Sequence, residues 1–204
     1  MGGGAEGERV CRRPRDDSTY VPKPDDLVID EARLQDLRST TDPVERTRMV
    51  KAIIKEISDL LAIGTFELVP LPPDRKAVSS RIVLKVKYFA DGTYNKHKAR
   101  LVAKGFMQRL GVDFFSVFSP MATLTTVRVL FAIAVSQGLC LLHADIPQAF
   151  VQSILDVDVW LQLPDGVCIK GPDGKENKVV KLIRSLYGLR NAPQATLEQG
   201  AADA

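Results

Sequence analysis

The chain has 204 residues, of which 45% are apolar and 26% are charged, and its net charge is +3. These values predict one soluble globular domain, or one domain and part of a second. No run of about 18 apolar residues and no apolar signal segment is present, so neither a membrane-spanning helix nor secretion is expected. The three cysteines form no Cys-x-x-Cys pair, which favours free thiols in an intracellular compartment, cytoplasm or nucleus.

Positive charge is concentrated in one part of the chain. Residues 75–109 contain ten Lys or Arg and a single acid, Asp91, so this stretch carries +9 and the remainder carries −6. The cations are interleaved with apolar residues, which is typical of a surface that faces phosphate groups. A solvated two-stranded hairpin with basic outer positions explains the same pattern, and charge alone leaves both interpretations open.

A disordered leader and a long helix are predicted for the first third of the chain. Residues 1–40 are rich in Gly, Arg, Asp and Pro and have little apolar periodicity, which predicts disorder. A helix is predicted over 43–62, because Asp42 is a good N-cap and apolar residues recur at helical spacing from Met49 to Leu61. Gly64 is a natural stop for this helix.

The rest of the chain predicts a mixture of strands and helices. Strands at 81–89 and 94–104 flank an Asp-Gly turn and predict a β-hairpin. An apolar helix over about 125–137, a strand ending at Asp145 and a short helix from Pro147 follow. Two further strands are predicted at 157–163 and 179–182, with a polar loop at 170–178. The predicted fold class is α+β.

Asp145 is a candidate site residue from its local context. It ends an apolar strand and precedes a helix start at Pro147, where a carboxylate is well placed to hold a divalent cation. A helix N-cap requires the same residue type at the same place. On the local pattern alone, the cap is the favoured interpretation.

Four short motifs stand out among a longer set that runs in one unbroken order. They are Gly-Thr-Phe-Glu-Leu-Val-Pro-Leu-Pro at 64–72, Lys-Ala-Arg-Leu-Val-Ala-Lys-Gly at 98–105, Asp-Ile-Pro-Gln-Ala-Phe at 145–150 and Leu-Tyr-Gly-Leu-Arg-Asn-Ala-Pro at 186–193. The ordered set resembles the reverse transcriptase of copia-type LTR retrotransposons, an RNA-directed DNA polymerase. The resemblance covers residues 43–194.

The resemblance implies a right-hand polymerase fold with an incomplete palm. Residues 41–110 would form a fingers-like subdomain that carries the basic hairpin, and residues 111–194 a partial palm. Residues 195–204 would be a non-homologous tail. The implied partners are dNTP and a primer–template of RNA and DNA, and no membrane partner is expected.

The same resemblance assigns expected roles to residues of the basic hairpin. Arg100 and Lys98 would face the incoming triphosphate, and Lys85, Lys87 and Lys104 would add positive charge for triphosphate or template. A guanidinium binds phosphate oxygens as a fork, which favours arginine at position 100. For any single lysine, a solvated charge explains its presence equally well.

The resemblance also places a nucleotide site in the palm. Asp145 matches the first metal-binding aspartate and would be a ligand of Mg²⁺. The backbone N–H groups of Gln148 and Ala149 would face the triphosphate, and Phe150 would exclude a 2′-hydroxyl, although an ordinary core aromatic is the alternative. The motif containing Tyr187 and Gly188 would line the site near the template base.

The chain departs from the family pattern in ways that bear on activity. The Tyr-x-Asp-Asp motif, which carries the other catalytic aspartates, does not follow Leu-Tyr-Gly-Leu within these 204 residues. Pro147 replaces an expected lysine. We therefore expect a truncated reverse transcriptase that is inactive alone, since one carboxylate cannot hold two divalent cations. The alternatives are a non-catalytic nucleic-acid-binding remnant and an expressed fragment without a selected role.

Overall fold

The computed structural model describes residues 19–34, 40, 42–115, 123–142 and 149–191, and these residues combine helices with two β-sheets. In chain order the elements are β1 (Leu27–Ile29), α1 (Pro43–Ala62), β2 (Phe66–Glu67), β3 (Val78–Tyr88), β4 (Tyr94–Ala103), α2 (Leu124–Ser136), α3 (Ala149–Gln152), β5 (Ile154–Gln162), β6 (Val167–Lys170), β7 (Glu176–Asn177) and β8 (Val179–Arg184). The predicted α+β fold class is confirmed.

Helix α1 begins and ends where the sequence predicts. The Asp42 carboxylate accepts a hydrogen bond from the backbone N–H of Val44 at 2.9 Å and so caps the helix. Ile53, Ile57 and Leu60 on one side of the helix are fully or almost fully buried. Burial of each such side chain contributes about 1.5–3 kcal/mol, so this stripe fixes the helix on the sheet.

The main sheet has five strands in the order β2-β8-β5-β3-β4. β3 and β4 form the predicted hairpin and pair antiparallel, with Ile82 opposite Leu101. β5 pairs in parallel with the start of β3 and antiparallel with β8. Helix α1 packs against β4. Leu101 and Ala99 are buried there, and because side chains alternate along a strand, the residues between them face the other side of the sheet.

Strand pairing crosses the predicted subdomain boundary at residue 110. β2 pairs with β8, and β3 pairs with β5, so each pair joins one strand before this position and one after it. The five-stranded sheet is therefore built from strands on both sides of this boundary. The division into a fingers-like part and a palm part stays a prediction.

The N-terminal leader differs from the prediction over residues 19–34. β1 pairs antiparallel with β6, and with β7 these strands form a second, three-stranded sheet. Leu34 is buried in the hydrophobic core. The prediction of disorder through residue 40 was wrong for this segment, because three apolar residues need no periodicity of their own when β6 supplies a partner strand.

Helix α2 exposes apolar side chains on much of its surface. Ala134 is buried, whereas larger side chains of the helix are exposed, namely Leu124, Val129, Leu130, Phe131, Ile133 and Val135. Such a helix is normally covered on several sides. α2 therefore adds little to the core of the described residues. No helix within the described ranges is long and apolar enough to cross a membrane.

Candidate nucleic-acid interface

Six cations lie on one face of the β3–β4 hairpin. In register, Lys85 is opposite Lys98 and Lys87 is opposite Lys96, while Arg100 is opposite Val83. Directly opposed residues of an antiparallel pair share a face, and residues two apart along a strand do so as well. We call this set the basic face, and its members are Arg81, Lys85, Lys87, Lys96, Lys98 and Arg100.

The opposite face of the hairpin belongs to the core. Ile82 on β3 and Ala99 and Leu101 on β4 are buried there, and α1 packs against β4. From Arg81 to Lys87, exposed positions of β3 therefore alternate with buried or half-buried ones. This alternation explains why a stretch with so many cations still folds as a strand pair, since the cations of β3 stay in water while the residues between them are at least partly covered.

The six cations of the basic face form no close ion pair with a carboxylate of the described residues. Like charges directly opposite one another destabilise a strand pair, and two such pairs occur here. No carboxylate in the described part of the chain lies within 4.0 Å of the charged groups of these six residues. A surface of this kind attracts polyanions, and the attraction falls as salt rises.

Arg100 and Tyr187, which the motifs place 87 positions apart, lie together. The guanidinium carbon of Arg100 stands 5.1 Å from the centre of the Tyr187 ring, over its face. The backbone N–H of Ala103 donates to the carbonyl oxygen of Tyr187 at 2.8 Å. The structure therefore brings two of the predicted nucleotide-site residues into contact, and their proposed role toward a nucleotide stays a prediction.

Two glycines allow this close approach. A Cβ at Gly105 would clash with the backbone oxygen of Gly188, and a Cβ at Gly188 would clash with the backbone oxygen of Ala103. Gly188 also has φ +88°, a conformation that side-chain-bearing residues rarely adopt. The motifs at 98–105 and 186–193 thus meet backbone to backbone.

The structure describes only some of the other predicted site residues. Lys104 follows β4 and is half-buried, with its backbone N–H donating to the Ser79 carbonyl oxygen at 2.8 Å. Ala149 and Phe150 begin α3, but their side chains are not among the described features. Asp145 and Gln148 lie outside the described residues. The predicted palm roles therefore stay predictions for Asp145, Gln148, Ala149 and Phe150.

A magnesium site is not formed by the described residues. Within them, no group of three or more His, Cys, Asp or Glu side chains is arranged to hold a metal ion. Asp145, the predicted ligand, falls outside the described ranges. Mg²⁺ is therefore an implication of the family resemblance.

Some residues of the basic face were not singled out as site residues from the sequence. Arg81 and Lys96 were counted in the basic stretch, but only the register shows that they share the face of Lys85 and Lys98. The strand alternation around Val83–Lys87 was the available signal. The sequence also offered no reason to single out Gln108, whose buried side chain accepts a hydrogen bond from the backbone N–H of Arg190. Nothing in the surrounding sequence indicates where this side chain points.

Glu56 on α1 lies close behind the basic face. Its carboxylate accepts a hydrogen bond from the backbone N–H of Leu101 at 3.3 Å, on the outer strand of the sheet. Burial raises the pKa of Glu56 above its ordinary value of 4.5, while the Leu101 hydrogen bond and the charges of Lys98 and Arg100 act against this rise. The charged form is therefore disfavoured by folding.

Glu56→Gln is expected to reduce the pH dependence of stability. Because the folded pKa is raised, the stability contributed by Glu56 is fully present below its unfolded pKa and is lost as pH rises through the folded pKa. The neutral variant should thus gain stability relative to wild type as pH rises above about 4.5 and through the folded pKa. Urea unfolding followed by the fluorescence of Trp160, the single tryptophan, measures this difference.

Asp91→Asn supplies a control in which the change of stability with pH has the opposite sign. Hydrogen bonds from Thr93 lower the pKa of Asp91, so its contribution to stability is lost as pH falls through the folded pKa. The Asp91 variant should therefore lose stability relative to wild type at neutral pH and approach it in acid. Parallel pH profiles of Glu56→Gln and wild type would contradict the interpretation of Glu56.

Comparison with known proteins identifies the family. Residues 63–199 match the profile of the family described as "Reverse transcriptase (RNA-dependent DNA polymerase)". The chain belongs to this reverse transcriptase family. The predicted copia-type relationship is confirmed by its similarity to Pol polyproteins of plant transposons.

Three such relatives illustrate the similarity. The chain is 33% identical over 187 residues to the retrovirus-related Pol polyprotein from transposon TNT 1-94 of Nicotiana tabacum, covering 91% of the chain. It is 35% identical over 170 residues to the corresponding protein from transposon RE1 of Arabidopsis thaliana, covering 83% of the chain, and 33% identical over 159 residues to that from transposon RE2 of the same plant, covering 78%. The chain spans 14%, 11% and 11% of the length of these three polyproteins. No solved structure matches the chain.

Proposed function

We propose that the chain forms the nucleic-acid-binding and triphosphate-binding part of a copia-type reverse transcriptase. In this proposal, residues 41–110 act as fingers and residues 111–194 as part of a palm. The basic face is the observation that supports it most strongly. A primer–template of RNA and DNA would lie against that face. The incoming dNTP would lie at the inner end of the face, where β4 approaches the turn that carries Tyr187. The location would be intracellular, in the cytoplasm or nucleus, where both ligands occur.

The contact between Arg100 and Tyr187 marks the inner end of the basic face. Arg100 is the cation of β4 nearest to the turn that carries Tyr187 and Gly188, and its guanidinium is exposed as well as stacked. A stacked guanidinium is held in one orientation and still offers N–H donors to phosphate oxygens. Lys98, two positions earlier on the same face, would add a second positive charge for the triphosphate.

The proposal assigns the remaining roles by family resemblance. Asp145 would be the first metal-binding aspartate, with the backbone N–H groups of Gln148 and Ala149 toward the triphosphate and Phe150 as the gate against a 2′-hydroxyl. In-line phosphoryl transfer by two cations needs several carboxylate ligands. A polypeptide of these 204 residues would therefore bind its ligands without extending a primer by itself.

Primer extension and binding assays on the 204-residue polypeptide test this proposal. A DNA primer on an RNA template with dNTPs and Mg²⁺ should give no extension above that of Asp145→Asn, while the same primer–template should bind with a steep salt dependence. Extension by wild type that Asp145→Asn abolishes would overturn the predicted inactivity.

Two other outcomes would point to the alternatives. Primer–template binding with no measurable binding of dATP would favour a non-catalytic nucleic-acid-binding protein. Absence of binding together with absence of cooperative unfolding would indicate a chain without a folded function. The basic face would favour the first of these over the second, because it forms only if the hairpin is folded against α1.

A further inference from the structure

The buried side chain of Gln108 is hydrogen-bonded at both ends of its amide. Its Oε1 accepts from the backbone N–H of Arg190 at 2.8 Å, and its Nε2 donates to the carbonyl oxygen of Asp113 at 3.3 Å. Only 6% of Gln108 is exposed. A buried amide with both ends bonded has one orientation, and an apolar residue of the same size would leave the Arg190 N–H without its acceptor.

The same place joins three separate parts of the chain. Arg190 Nε donates to the carbonyl oxygen of Gly105 at 3.1 Å, and the Arg190 guanidinium lies 5.5 Å from the centre of the Phe114 ring. Asp113 is itself buried and accepts from the backbone N–H of Arg109 at 2.8 Å. The side chains of Gln108 and Arg190 thus both link the turn after β4, the segment at 111–114 and the turn at 187–190.

The turn at 187–190 is the one that carries Tyr187. At its start, the carbonyl oxygen of Tyr187 accepts from Ala103 N–H, and at its end, the N–H of Arg190 donates to Gln108. The turn is therefore tied to the end of β4 by the Ala103 N–H, by the Gln108 amide and by the bond from Arg190 Nε to the Gly105 carbonyl oxygen. Loss of the Gln108 acceptor leaves the Arg190 end of the turn tied through the longer and more flexible arginine side chain.

We propose that Gln108 is a positioning residue, which holds the Tyr187–Arg190 turn against the end of β4 and so keeps the Tyr187 ring beneath the Arg100 guanidinium. Gln108 would not touch the nucleotide. The functional consequence rests on the proposed role of Arg100 and Tyr187 in triphosphate binding. The structural consequence, a fixed contact between Arg100 and Tyr187, does not depend on that role.

Nuclear magnetic resonance of the 204-residue polypeptide tests the structural part. A ring beneath a guanidinium shifts the side-chain protons of Arg100 upfield, and Tyr187→Leu defines the unshifted value. Gln108→Met should lose most of this upfield shift, because its side chain cannot accept from Arg190 N–H. Gln108→Glu should keep it, because a carboxylate oxygen remains in place to accept.

Binding of radiolabelled dATP tests the functional part. Gln108→Met should raise the Kd for dATP about ten-fold, since displacement of a positioned group by about 1 Å is enough for losses of this size. Its affinity for the primer–template should stay within about two-fold of wild type, since the lysines of the basic face are untouched. Combined with Tyr187→Leu, Gln108→Met should add little further loss, because both act through the same ring.

Each outcome decides between the positioning role and a general structural one. The proposal would be overturned if Gln108→Met preserves the upfield shift of the Arg100 protons. It would also be overturned if Gln108→Met weakens dATP and primer–template binding equally, or if its loss adds fully to that of Tyr187→Leu. If Gln108→Met does not fold, Gln108→Glu decides. A folded Gln108→Glu variant that loses the Arg100 shift overturns the proposal, and one that retains the shift supports it. Absence of dATP binding by wild type would refute the proposed function, and the Arg100 shift would still decide the role of Gln108.

Discussion

Replacement of Lys85, Lys87, Lys96 and Lys98 together by glutamine is expected to lower affinity for an RNA–DNA primer–template by roughly a thousandfold at about 0.1 M salt. Each lysine that neutralises a phosphate releases a counterion on binding, and the logarithm of affinity changes with the logarithm of salt by about 0.9 per phosphate on duplex DNA. Loss of four such contacts should therefore flatten the salt dependence by between three and four units, as measured by fluorescence anisotropy over a salt series.

The arrangement of the four lysines makes this effect larger than their number alone would suggest. They form two directly opposed pairs, Lys85 with Lys98 and Lys87 with Lys96, and no carboxylate of the described residues lies within 4.0 Å of their charged groups. Such pairs repel one another in the free protein. Bound phosphates relieve the repulsion, so the binding energy includes a contribution that isolated lysines would lack. Glutamine at all four positions should also slightly stabilise the unbound hairpin.

A matched variant distinguishes a specific face from net charge. Glutamine at Lys51, Lys170, Lys175 and Lys178 removes the same charge from α1, from β6 and from the segment around β7. This control should weaken binding by no more than about five-fold, through the long-range field alone. Equal losses in the two quadruple variants would contradict the assignment of the basic face and would leave only diffuse attraction.

The elements that the sequence predicted well are those with local signals. α1 has a capping aspartate, a regular apolar stripe and a glycine stop within 23 residues, and the β3–β4 hairpin has strand residues on both sides of an Asp-Gly turn. The register of such a hairpin follows from its turn and from its one buried face. The basic face was therefore largely contained in the sequence pattern, and its exact membership required the pairing.

Elements that depend on distant partners were not predicted. β1 and β7 have three and two residues, and they are strands only because β6 lies between them. β6 itself was hidden, since Pro-Asp-Gly at 164–166 marked the end of one strand and the predicted polar loop began at 170. The contact of Arg100 with Tyr187 and the bond from Arg190 to Gln108 join residues more than 80 positions apart, and no periodicity encodes such contacts.

Gly188→Ala is expected to destabilise the fold by more than about 3 kcal/mol, a loss large enough to unfold a marginal domain. Two costs add at this position. The positive φ of +88° is unfavourable for alanine by about 1–2 kcal/mol. The new Cβ would in addition clash with the backbone oxygen of Ala103. The backbone at Ala103 cannot move away from Gly188 without loss of the hydrogen bond from the Ala103 N–H to the Tyr187 carbonyl oxygen.

Gly174→Ala separates the two costs. Gly174 has a similar φ of +75°, but a Cβ at this position meets no atom within 4 Å. This variant should therefore lose only the conformational part, about 1–2 kcal/mol. Urea unfolding followed by the fluorescence of Trp160, which is buried in β5, measures both variants. The difference between them gives the cost of the backbone contact between the two motifs.

Gly105→Ala provides a test from the other side of the same contact. Its Cβ would clash with the backbone oxygen of Gly188, although no positive φ is involved. We expect a loss of about 1–3 kcal/mol, which is the usual range for overpacking of a well-packed interior. Because both alanines would push apart the same two backbone segments, the double variant should lose less than the sum of the single losses. A loss at Gly188 no larger than that at Gly174 would show that the segments separate at little cost, and the contact would then not hold Tyr187 beside Arg100.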